Sequence, residues 1–145
     1  LNLTTTITAT SPMTVFVVWK KNSSLDSMEV LAGPENYRMF PCNYIDGITY
    51  VDLDNVNNAT WATGHLTTYN LADFVYDSPT IEMWLNTVSQ GSVAYSYSGT
   101  LINIGYSVGL PYAKGDIAEI IVYNLALGTT DRQTVESYLQ TKYFP

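Results

Sequence analysis

The chain has 145 residues, 46% of them apolar and only 13% charged, with a net charge of −7 at pH 7. That length suits one domain with a core of its own, and a charged share well under the usual ~25% excludes a solvated, disordered tail. With six Lys and Arg in all and no cluster beyond Lys20–Lys21, nucleic acid and anionic membrane surfaces are excluded as partners, because both require patches of basic side chains.

The place of charge is taken by Thr, Ser, Asn and 12 Tyr, a mix that favours strands and turns over helices. In chain order, LNLTTTI has apolar residues at 1, 3 and 7 and reads as a first strand with one buried face. SPMTVFVVWKK follows, with Met13, Val15, Val17 and Trp19 pointing one way and Phe16 and Val18 the other. Apolar residues on both faces predict a central strand in a layered stack. MEVLAG is a short strand after the polar turn NSSLDS, and ITYVDL (48–53) and the segment 66–76 alternate again. GHLTTY reads as a strand start with His65 half exposed. Asp77–Ser78–Pro79 predicts a turn before TIEMWLN, where Ile81, Met83 and Leu85 share a face. SVAYSYS, TLINIG and DIAEIIVY close the series.

A helix ends the chain. Thr130 and Gln133 fit a capping box, and Val135, Tyr138, Leu139 and Tyr143 recur at helical spacing. Asp131 near its start and Lys142 near its end suit the helix dipole. Regularly spaced strands with no intervening helical pattern predict an all-β, antiparallel sandwich of jelly-roll type with a short C-terminal α-helix, residues 1–145 forming a single domain. The start at Leu1 predicts a processed product or a segment of a longer protein or assembly. VFVVW falls far short of the ~20 apolar residues of a spanning helix, so no membrane insertion is expected. Cys42, the single cysteine, cannot form an internal disulfide and reads as a buried thiol.

Residues 99–143 carry a more specific pattern. Gly115, Ile117, Ala118, Glu119, Ile120, Val122 and Tyr123, then Leu127, Arg132, Val135, Glu136, Tyr138, Leu139, Lys142 and Tyr143, resemble the C-terminal strand and helix of the concanavalin A-like lectin/glucanase superfamily, in its laminin G-like branch. FVYDSPTIEMWLNTVSQ resembles that family's hairpin, with Thr87 where Gly is usual after Asn86, which implies a looser turn. The resemblance implies a β-sandwich in which DIAEIIVY is an inner strand. Alternation then puts Ala118, Ile120 and Val122 on one face and Ile117, Ile121 and Tyr123 on the other, with Glu119 on the second face, paired or solvated. Glu119 reads as architectural.

Catalytic patterns are missing. Glycoside hydrolysis on this fold needs paired carboxylates, and Asp52 and Asp54 have no acidic partner at the next turn. His65 is the only histidine, there is no Gly-x-Ser-x-Gly elbow, and one His with one Cys cannot close a zinc site. The chain is therefore expected not to be an enzyme, and no cofactor is expected. The segment DLDNVNNATW (52–61) sets Asp52, Asp54, Asn55, Asn57 and Asn58 beside Trp61. Its oxygens suit Ca2+ weakly, through Asp52 and Asp54, without EF-hand spacing. Asx hydrogen bonds in a polar turn are the other reading. Sugars need aromatic faces beside amides and carboxylates, so Trp61, Tyr50, Tyr69, Asp52, Asp54, Asn55 and Asn57 form the candidate ligand site, with Tyr95, Tyr97, Tyr106 and Tyr112 as a second group. The function implied by the resemblance is a non-catalytic lectin-like adhesion module that recognises glycans or a cell surface. An extracellular or virion setting, such as a bacteriophage appendage or capsid surface, is expected from the composition. The alternative is a structural assembly or decoration domain that packs against neighbouring subunits and binds no sugar.

Overall fold

A computed structural model describes residues 2–10, 12–26, 28–32, 38–43, 47–52, 58–94, 98–105 and 114–145. Two antiparallel sheets face one another. The larger contains β1 (Asn2–Thr10), β10 (Ser98–Ile104), β3 (Met28–Ala32), β4 (Arg38–Asn43), β5 (Ile48–Asp52) and β6 (Asn58–Ala62), in that spatial order. The smaller runs β11 (Gly115–Tyr123), β2 (Met13–Lys21), β7 (Asn70–Asp77), β8 (Thr80–Leu85) and β9 (Val88–Ala94). The helix α1 (Thr129–Tyr143) lies on the outer face of the smaller sheet, so that sheet is covered on both sides.

This accounts for the composition of β2. Met13, Val15, Val17 and Trp19 enter the core between the sheets with Ala72, Phe74, Tyr76, Ile81 and Met83, while Val30, Leu31 and Trp61 come from the larger sheet. Phe16 and Val18 turn outward and meet Leu71 and Leu139 under the helix. Thr14, on the same outward face, uses its hydroxyl twice. Oγ1 donates to the Leu125 carbonyl and accepts from the Leu127 N–H, both at 2.9 Å, which fixes the connection from β11 to α1.

Several expectations need correction. Simple alternation along β11 fails at a bulge between Ile117 and Glu119. One extra residue resets the face, so Ile117 joins Ile120 and Val122 in the inter-sheet core, and Ala118 joins Ile121 and Tyr123 beneath the helix. Glu119 is paired, with Lys142 Nζ 3.0 Å from its carboxylate. Against burial, which alone would raise it, hydrogen bonds from Lys142 and Tyr143 hold the Glu119 carboxyl below its ordinary range. The expected capping box is not formed: Gly128 is the N-cap and makes no side-chain cap. Tyr138 is 49% exposed and lies off the buried stripe. His65 is exposed and sits in a connection outside any strand, and residues 58–62 form strand β6 where the sequence suggests a turn. The side chains of Cys42 and of β1 lie outside the described residues.

The helix face also holds charges that its apolar spacing did not announce. Arg132 and Glu136 are 5% and 3% exposed, and Asp73 of β7 is fully buried beneath them. The Arg132 guanidinium donates to Glu136 one turn along the helix and lies 3.4 Å from Asp73 Oδ2, 3.8 Å from the centre of the Trp84 ring. Two carboxylates and one guanidinium leave an excess negative charge in a dry site. Burial, and then the nearby Glu136 carboxylate, push the Asp73 carboxyl up to about 8 in spite of Arg132.

This packing sets two measurable outcomes. Trp61→Ala removes an indole that is 8% exposed within the inter-sheet core and should cost about 3 kcal/mol or more in urea unfolding. For Asp73, the folded state holds a proton that the unfolded chain has released above its ordinary carboxyl pKa, 3.8. Stability should therefore fall as pH rises from about 4 to about 8 and level off above that. Asp73→Asn, which keeps the shape of the neutral acid, should flatten the profile in urea melts run across that range.

Candidate functional site

The sequence groups Trp61, Tyr50, Tyr69 and the acidic-amide run into one site, and the fold turns Trp61 into the core. On the β5–β6 hairpin, Thr49 pairs with Trp61, Tyr50 with Thr60 and Asp52 with Asn58. Trp61 and Thr49 are buried and Thr60 is exposed. Tyr50 and Asp52 occupy register positions of opposite parity to the Thr49–Trp61 pair, and Trp61 offers its ring to the core rather than to solvent. Asp54, Asn55 and Asn57 lie outside the described residues, as do Tyr95, Tyr97, Tyr106 and Tyr112. Among the described residues no three His, Cys, Asp or Glu side chains converge as metal ligands.

Tyr69 belongs to a different surface. It precedes β7, is 39% exposed, and carries the Lys20 ammonium 4.9 Å from its ring centre. Its ring borders a hollow of ≈ 440 Å³ with Thr68, Asn70, Asn86, Thr87, Gln140 and Phe144. A second hollow of ≈ 380 Å³ shares Thr87 and Gln140 and continues along the helix past Gln133, Glu136 and Ser137. Together they form a groove between the β8–β9 turn and α1.

Hydrogen bonds fix one wall. Asn86 Oδ1 accepts from the Leu71 N–H and Asn86 Nδ2 donates to Asn70 Oδ1, both at 2.9 Å, while the Asn86 N–H donates to the Leu71 carbonyl at 2.7 Å. Asn70 Nδ2 donates in turn to the Thr68 carbonyl at 2.5 Å. The opposite wall differs. The Gln133 and Gln140 carboxamides make no hydrogen bond among the described residues. Sequence reading missed both because two glutamines on an amphipathic helix look like ordinary solvent-facing positions. Their seven-residue spacing, two turns on one face, is the signal that could have found them.

A third cleft, ≈ 310 Å³, lies at the start of α1 and is lined by Asp77, Thr80, Glu82, Trp84 and Arg132 with the connection 126–129. Its charges are of mixed sign and its guanidinium is engaged by Asp73 and Glu136.

The groove turn is strained. Asn86 and Thr87 have φ of 50° and 69°, as a two-residue type I′ hairpin requires. Asn tolerates that region, whereas a β-branched residue does not. The looser turn expected from Thr87 in place of Gly is thus a regular turn held under strain. Thr87→Gly should raise stability by about 1 kcal/mol, read as a higher melting temperature with unchanged circular dichroism.

No family pattern matches the chain, and no characterised protein matches it by sequence. Solved structures do share its fold. The native heptameric SAP-like pentraxin from Limulus polyphemus has a TM-score of 0.67 at 14% identity, over 93% of this chain and 74% of that one. The CBM40 module of the Ruminococcus gnavus IT-sialidase, bound to α2,3-sialyllactose, scores 0.63 at 14% identity, over 88% and 84%. Domain 4 of AbnA, a GH43 extracellular arabinanase from Geobacillus stearothermophilus, in complex with arabinotriose, scores 0.65 at 14% identity, over 86% and 66%. At these identities the likeness is one of fold. The chain has the jelly-roll β-sandwich that its C-terminal motif implied, and none of these structures singles out a laminin G-like branch.

Proposed function

We propose that the domain is a non-catalytic, lectin-like binding module and that the groove beside α1 is its glycan site. One observation carries the reading. An exposed tyrosine ring borders a hollow whose other walls are mainly amides and hydroxyls. A sugar presents an apolar C–H face and a rim of hydroxyls, so an aromatic plane beside neutral donors and acceptors is the complement it needs. The sialyllactose and arabinotriose complexes of like fold support the same class of ligand. A contribution from Tyr50, Asp52 and residues 53–57, or Ca2+ held there, is a subordinate proposal resting on the composition of that segment. An extracellular setting accords with the reading, and a virion or phage role rests on composition alone.

An obligate assembly interface is more apolar than the rest of a protein's surface. Among the described residues the large exposed apolar side chains other than Tyr69 are Leu25, Val88, Leu125 and Tyr138, from four separate segments, and scattered exposure of this kind is ordinary. The test is a glycan array followed by calorimetry. Tyr69→Ala should weaken binding about tenfold, from the loss of roughly 1.4 kcal/mol of stacking, with little change in melting temperature. A blank array would favour the assembly alternative.

A further inference from the structure

We infer that the groove accepts a neutral oligosaccharide of at least two units, lying along α1 from Tyr69 toward Gln133, and that it discriminates against sialylated glycans. This rests on the glycan-binding reading and goes beyond it by naming the ligand class and the extent of the site.

The two hollows have volumes of ≈ 440 and ≈ 380 Å³, each above the ~300 Å³ lower bound of a small-ligand pocket. They meet at Thr87 and Gln140, which line both. A ligand filling the length therefore passes the Thr87 hydroxyl and the Gln140 carboxamide. Gln140 and Gln133 each offer a donor and an acceptor face, as a run of sugar hydroxyls requires.

The charge balance sets the selectivity. Among the described residues no Lys or Arg lines either hollow. The one group with a formal charge there, Glu136, is 3% exposed and engaged by Arg132. The ammonium beside Tyr69, that of Lys20, lies 3.1 Å from Asp116. A sialic acid carboxylate seated in this groove would meet no cation in its described lining, and the net charge of −7 repels it at longer range. The likeness to the sialyllactose-bound module is thus one of architecture and not of ligand.

Thr87 is the second mark of the site. At φ 69° a glycine would be relaxed, and a threonine places a hydroxyl and a methyl where the two hollows meet at a cost in strain. Strain of this kind gathers where a ligand is held.

The test is an array of neutral oligosaccharides, their monosaccharides and matched sialylated partners, including lactose with α2,3-sialyllactose and arabinose with arabinotriose. Calorimetry on wild type, Gln140→Ala and Thr87→Gly follows for the strongest array compound. Hits confined to neutral oligosaccharides are expected, with the monosaccharide at least about tenfold weaker and Gln140→Ala about tenfold weaker than wild type. Affinity should hold between about 50 and about 500 mM salt, since no ion pair is screened. Thr87→Gly should bind less tightly while melting at higher temperature, a combination that a folding defect does not produce. A sialylated partner binding more tightly than its neutral core would overturn the inference while leaving the module reading intact. So would equal binding of the monosaccharide, or full affinity in both variants. A wholly blank array would overturn both.

Discussion

One guanidinium holds the outer layer of the molecule in place. Arg132 is the counter-charge for Glu136 on its own helix, it reaches Asp73 on β7, and it lies over the Trp84 ring of β8. Without it, Glu136 and Asp73 would face each other in a dry interface with no cation between them. Removing one member of a buried ion pair typically costs about 3–5 kcal/mol. Asp73 Oδ1 has no hydrogen-bond partner even with Arg132 present, in keeping with a carboxyl that keeps its proton. Leu139 and its apolar neighbours supply contact area, but area alone would let the helix slide along the sheet. The charged cluster, together with the Lys142–Glu119 pair, sets the register.

That register places the groove. Gln133, Ser137 and Gln140 stand opposite Thr87 only while α1 is seated on the sheet. Glu136 lies between them along the helix, and its carboxylate is held inward by Arg132. One face of two helical turns therefore serves both purposes, anchoring through Arg132 and Glu136 and presenting amides through the glutamines beside them. Because α1 carries one wall and the β8–β9 turn the other, the groove exists only in the docked arrangement.

Much of the architecture was legible in local pattern. The two apolar faces of β2, the shared face of Ile81, Met83 and Leu85, and the terminal helix all follow from period-two or helical spacing, and each is found where expected. The limits are equally specific. A bulge adds one residue, and nothing in DIAEIIVY marks where it falls, so alternation assigns Ile117 and Ala118 to each other's faces. Trp61 stands in a run of Asp and Asn that looks like a turn, yet strand pairing with β5 carries it into the core. Arg132 and Glu136 look like a surface pair on a helix until Asp73, 59 positions from Arg132, is brought beneath them. Among the described residues of the expected site Tyr69 alone lines the groove, because the groove is assembled from segments distant in sequence, and composition within one short run cannot show that. The position of Thr87 was readable as a departure from the usual glycine, though its consequence, strain rather than looseness, required the backbone angles.

The hydroxyl of Thr14 has a consequence for biosynthesis. It joins residues 111 and 113 positions downstream, and β2, on which it sits, lies between β7 and β11. Completion of β2 therefore waits for β11. While the ribosome is still delivering the middle of the domain, β2 has one open edge and an uncovered outer face of Phe16 and Val18. Contacts of such long sequence separation form slowly, and an apolar strand left unpaired during synthesis is prone to capture by other chains. From the completion of β7 until β11 is made, the most apolar strand stays half exposed, and the layer closes only when β11 and then α1 follow.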